Sequence, residues 1–150
     1  MKYVIGIGTY AGGDDSIGLK IIEYMDKNYP RRDFELIDMS DNGLNIFAYF
    51  NPDTSMILFV DCVKMGKNPG EHLFFTLDQV ESSKELANIS THEGDMIKIF
   101  GLARELDYKI PPVKFLGIEP LEINTSMELS PLLASKIPEY VELVLQEINK

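Results

Sequence analysis

The chain has 150 residues, a length that suits one domain, residues 1–150, with enough core for a sheet covered on both faces. Its 14 Lys and Arg against 24 Asp and Glu give a formal charge of -10, so the surface repels nucleic acid and anionic lipid and favours small-molecule, cation or protein partners. No apolar run approaches the roughly 20 residues that span a bilayer, and no basic leader with a small-residue cleavage site opens the chain, so no membrane partner and a cytoplasmic location are expected.

Tyr3 to Gly8 is a short apolar run closed by glycine, and Ile17, Ile21, Tyr24 and Met25 then recur at helical spacing: a strand feeding a helix. Asp33 to Asp38 alternates polar with apolar and predicts a strand nearer a sheet edge, whereas Met56 to Val60 is continuously apolar, as in a strand buried on both faces. Between them, Leu44 to Phe50 predicts a short helix. After the Asn68-Pro69-Gly70 turn, His72 to Leu77 predicts a strand, and Met96, Ile97, Phe100, Leu102, Ala103 and Leu106 mark a helix following His92. Val113 to Ile118 predicts a further strand, broken by Pro120. Ser130-Pro131, a cap residue before a first-turn proline, starts a last helix that runs to the C-terminus and is expected to kink at Pro138.

Strands alternating with helices predict an α/β fold in three layers: a mostly parallel twisted sheet with helices on both faces. Sites in such sheets gather beyond the carboxyl ends of the strands. Asp15 follows the first strand, Asp38 ends the second, Asp61 ends the third, and His92 precedes a helix whose N-terminus faces the same edge. The single Cys62 excludes a disulfide framework and a multi-cysteine zinc knuckle, leaving carboxylates and imidazole for any metal.

The opening stretch Gly6-x-Gly8-x-x-Ala11 satisfies a dinucleotide fingerprint, with Asp38 placed as the acid for a ribose. Asp14 and Asp15 contradict it, because they occupy the helix start where a pyrophosphate needs bare N–H groups and positive potential. A cation suits that end better, while a plain helix cap by either aspartate is the structural alternative. Asp61 likewise reads as a ligand or as a strand-end acid holding loop amides, and His92 as a ligand or a helix-start residue. His92-Glu93 is not followed by the second histidine of a zinc protease motif. His72 reads as an exposed strand residue. Cys62 could pair with His92 as a nucleophile, although a buried core cysteine is the simpler reading.

Taken together, these stretches resemble the hydrogenase maturation endopeptidases, which trim the C-terminal tail from the nickel-containing large subunit of [NiFe] hydrogenases. The family pattern G-x-G-N-x-L-x-x-D-[DE]-G-x-G is matched in spacing by Gly6 to Gly18. Ile57 to Asp61, Ser90-Thr91-His92, Phe115 to Pro120 and Leu129-Ser130-Pro131 follow in the family's order. Thr9 stands where the family has asparagine and Ser16 where it has glycine. The resemblance implies a nickel-recognising, catalytic site of Asp15, Asp61 and His92; Asp38, by its predicted position at the end of the second strand, is a second-tier candidate general base. It implies nickel carried by the substrate, a nickel-loaded large-subunit precursor, and cadmium or zinc as substitutes in vitro. A small dinucleotide-binding module on Gly6, Gly8, Ala11 and Asp38, and a non-catalytic nickel-binding accessory protein, remain alternatives.

Overall fold

The computed structural model describes the backbone of residues 1–40, 42–82 and 92–150, and the side chains of these except 80–82 and 92–95. Five strands form one sheet: β1 (Lys2–Ile7), β2 (Glu35–Ser40), β3 (Met56–Cys62), β4 (His72–Phe75) and β5 (Val113–Ile118), in the spatial order β2-β1-β3-β5-β4. Four of them run parallel, and β4 joins β5 antiparallel at one edge. The predicted architecture is therefore present, and the strand expected from His72 is shorter, because the helix α2 (Leu77–Ser82) begins where the apolar run ends. The expected strand Asp33–Asp38 lies two residues later, at Glu35–Ser40, and the expected helix at residues 44–50 is a 3₁₀ segment, Gly43–Tyr49.

Alternation along β3 divides the core in two. Leu58, Val60 and Cys62 face one side with Val4, Leu116 and Ile118, beneath α1 (Ile17–Asn28) and α4 (Pro131–Ile148). Ile57 and Phe59 face the other with Ile5, Phe75 and Phe115, beneath the 3₁₀ segment and α3 (His92–Glu105). Phe59, Phe115 and Phe75 stack in a row across β3, β5 and β4, with centroids 5.0 and 5.1 Å apart. α4 opens as expected, with Ser130 as its cap and Pro131 in the first turn, and it continues past Pro138 as one helix.

Chain order decides where a site can form. From β1 the chain crosses to β2 on one side, then returns to β3 on the other, so the carboxyl ends of β1 and β3 flank the topological switch point of the sheet. The connections diverge there and leave a crevice. The residues after β1 and at the end of β3 include Asp15 and Asp61.

Candidate nickel-recognition site

The turn between β1 and α1 is shaped by close approach. Gly8 has φ 152°, and a Cβ there would lie 2.3 Å from the Asp15 carbonyl oxygen. At Gly18 a Cβ would meet the Val60 carbonyl at 2.2 Å and that of Ile7 at 2.8 Å, so only glycine lets the start of α1 rest on both strand ends. This contact seats the 3₁₀ turn Asp14–Ser16 against β3, one residue before Asp61. Asp15 and Asp61 thus reach the same carboxyl edge, at the β1/β3 switch point.

The same turn offers no phosphate cradle. The N–H groups of Gly8, Gly12, Gly13, Asp14, Asp15 and Ser16 donate to the carbonyls of Ser40, Thr9, Ser126, Glu122, Gly12 and Gly13, at 2.8 to 3.2 Å. A pyrophosphate would have to displace protein acceptors from every one of these donors. Asp38 is also engaged: it accepts the Tyr10 hydroxyl at 2.6 Å and the Ser40 hydroxyl at 2.7 Å, at the exposed end of β2. Burial of Tyr10, and then its bond to Asp38, raises the tyrosine pKa. The dinucleotide reading of Gly6, Gly8, Ala11 and Asp38 therefore loses both its donors and its ribose acid. Asp38 lies on β2, beyond β1 from Asp61, and is tied down by Tyr10 rather than turned to the crevice chemistry.

Asp14 and Asp15 divide their work. Asp14 is fully buried, and it neither caps α1 nor guards its N-terminus. Its carboxylate accepts the N–H groups of Leu121 (2.9 Å), Glu122 (3.0 Å) and Ser130 (2.7 Å) and the Ser130 hydroxyl (2.9 Å). It is the anchor of the loop between β5 and α4. Asp15 remains half-buried at the edge. Ser16, where the family has glycine, turns its hydroxyl back onto the Gly13 carbonyl at 2.8 Å, and Thr9, where it has asparagine, is exposed.

Asp61 is fully buried, and its Oδ1 accepts the N–H of Cys62 at 2.7 Å, which holds the carboxylate in one orientation. A carboxylate at zero exposure is costly to keep and is the kind of group found at functional sites. By the alternation of β3, Asp61 lies on the face of the sheet that carries α3, and His92 is the first residue of α3. The His92 side chain and Ser90-Thr91 lie outside the described residues. Among the described residues no three His, Cys, Asp or Glu side chains form a metal-holding group.

The remaining candidates separate from this edge. Cys62 packs among the apolar residues beneath α1 and α4, the face opposite α3, which disfavours a thiol pair with His92. His72 pairs with Ile118 and so shares that opposite face; it is half-buried rather than exposed, with its ring 6.0 Å from that of Phe74. Glu119, which follows β5, has a role that went unassigned in the sequence: buried, it accepts the N–H groups of Met65 (2.8 Å) and Lys67 (2.9 Å) and pins the segment that leaves β3 after Asp61. A groove of about 740 Å3 opens at the opposite, amino edge of the sheet, lined by Lys2, Arg104, Lys114 and Lys150. Lys114 and Lys150 pair there with Glu147, and Lys2 donates to the Ile148 carbonyl, so these charges serve the end of α4.

Known proteins agree with this architecture. The hydrogenase 2 maturation protease of Escherichia coli is 20% identical over 148 residues, covering 98% of this chain and 90% of its own. Among solved structures, the hydrogenase maturating endopeptidase HybD from E. coli superposes with a TM-score of 0.82 at 19% identity, covering 99% of this chain and 91% of that one. The [NiFe] hydrogenase maturation protease HybD from Thermococcus kodakarensis gives 0.78 at 22% identity, covering 99% of both chains. The family model described as hydrogenase maturation protease matches residues 19–147, a span that includes Asp61 and His92 and begins four residues after Asp15. With that match over most of its length, on a sheet whose switch point gathers the acids, the chain belongs to the hydrogenase maturation protease family.

Proposed function

We propose that this maturation endopeptidase recognises nickel already seated in a hydrogenase large-subunit precursor and hydrolyses one peptide bond near that precursor's C-terminus. The observation that carries the proposal is the meeting of the Asp15 turn and the Asp61 strand end at the β1/β3 crevice, enforced by Gly18 on Val60. Carboxylate oxygens from Asp15 and Asp61 with an imidazole nitrogen from His92 suit a borderline divalent ion such as nickel, and cadmium or zinc can take its place in vitro. Nickel is here part of the substrate.

Three ligands leave coordination positions for the precursor's own groups, so binding the loaded precursor fixes the scissile bond beside the acids. A carboxylate at the crevice orients a water as general base. The water oxygen bonds to the scissile carbonyl carbon, the C–N bond breaks, and the proton taken from water passes to the leaving amine. No helix among the described residues is long and apolar enough to cross a membrane. The test is to incubate the protein with a nickel-loaded precursor and follow its mass. Two products that sum to the precursor plus one water support the proposal; an unchanged mass overturns it.

A further inference from the structure

We propose that the loop 121–130 and the first turn of α4 form the surface on which the precursor docks, through an apolar segment flanked by lysine or arginine; this rests on the function proposed above. Four of the nine exposed large hydrophobic residues in the described chain fall within these twelve positions: Leu121 (53% exposed), Ile123 (40%), Met127 (58%) and Leu132 (37%). Scattered apolar side chains on a surface are ordinary, but a concentration on one short loop marks an interaction site.

The loop is held in place rather than loosely collapsed. Asp14 grips the N–H groups of Leu121, Glu122 and Ser130, Gly13 bridges to Ile123, and the N–H groups of Gly13 and Asp14 bond to the carbonyls of Ser126 and Glu122. The apolar side chains are thus displayed outward by a fixed backbone, which lowers the ordering cost of binding. The scaffold is also the candidate site's own turn: Asp14 holds the loop while Asp15, the next residue, lies at the crevice. A precursor seated on the loop is already beside the acids.

Charge selects the occupant. Residues 121–130 carry Glu122 and Glu128, both exposed, and no basic residue, in a chain of net charge -10. A second copy of this chain would set those acids against like charge, whereas a partner with Lys or Arg around an apolar segment would be complementary. Four apolar side chains on one short loop suit a weak, transient contact, as an enzyme that must release its product requires.

The test is steady-state processing of nickel-loaded precursor by wild type, by the double variant Leu121→Ser with Met127→Ser, and by Glu122→Lys with Glu128→Lys. The apolar double variant is expected to raise KM about tenfold while kcat stays within about twofold, because the contact lies beside the reacting groups and not among them. The charge variant is expected to raise KM and to weaken its dependence on salt. All these side chains are exposed, so the thermal midpoints should match wild type. If wild type leaves the precursor uncut, the proposed function fails and takes this inference with it. If wild type cuts and both variants keep the wild-type KM, or lose kcat at unchanged KM, only the docking surface is refuted. A stable dimer in sedimentation that the Leu121→Ser and Met127→Ser changes dissolve would also refute it.

Discussion

Replacing Asp14 by alanine tests whether a buried aspartate, and not the apolar core alone, fixes the loop beside the site. The change strands three backbone N–H groups and one hydroxyl, now held at 2.7 to 3.0 Å. Hydrogen bonds to a charged acceptor contribute about 1.5–3 kcal/mol each, but these donors are part-buried and water would satisfy some of them. A net loss of about 3–5 kcal/mol follows, a large fraction of the roughly 5–15 kcal/mol that stabilises a domain. At about 2–4 °C per kcal/mol for a chain of this length, the thermal midpoint should fall by about 6–20 °C. Asp14→Asn keeps the shape but turns one acceptor into a donor facing other donors, so it should also destabilise, by less than alanine. Calorimetry gives the midpoint, and amide exchange at Leu121, Glu122 and Ser130 localises the damage. A midpoint within 2 °C of wild type, about 1 kcal/mol or less, with unchanged exchange at those amides would refute the role given to Asp14.

Gly18→Ala places a methyl 2.2 Å from the Val60 carbonyl, and the forced shift of α1 should cost about 3 kcal/mol or more and slow processing, measured by denaturant melts and turnover; a neutral effect on both would deny that this contact sets the crevice. Burial raises the pKa of Glu147, but the bonds from Lys114 and Lys150 outweigh it and leave the carboxyl below its ordinary value. A depressed folded pKa means stability that is complete above the unfolded value of about 4.3 and is lost as pH falls through the folded one, so melting midpoints from pH 6 to pH 3 should drop more steeply in wild type than in Glu147→Gln. Calorimetric titration with cadmium should show one weak site that Asp61→Ala and His92→Ala each abolish, since three ligands do not close around a bare ion.

The strand-helix order was legible because its apolar periods are strong, and Val113–Ile118 and the Ser130-Pro131 start of α4 agree to the residue. The direction of β4 was not, because a four-residue apolar run reads alike in either orientation, and only the Asn68 to Glu71 segment and pairing to β5 decide it. At the carboxyl edge, element order was enough to bring the Asp15 turn and the Asp61 strand end together, because neighbouring parallel strand ends converge by topology. Element order misjudged Asp14, whose partners lie 107 to 116 residues away in the chain, and gave no role to Glu119, whose partners lie 52 and 54 residues before it. Such acids read as loop polarity until the fold supplies their donors.

The central claim is that the crevice reads nickel in the precursor, and the most direct measurement compares cleavage rates of the same precursor with and without its nickel, by mass spectrometry, for wild type and Asp61→Asn. The variant keeps an oxygen to accept the Cys62 N–H and should fold normally, while losing a charged ligand. The account predicts that wild type cuts the loaded precursor at least about 100-fold faster than the empty one, since transition-state positioning is available only through the metal, and that Asp61→Asn erases this difference by slowing the loaded reaction. Equal rates on both precursors, or full activity in Asp61→Asn, would contradict it.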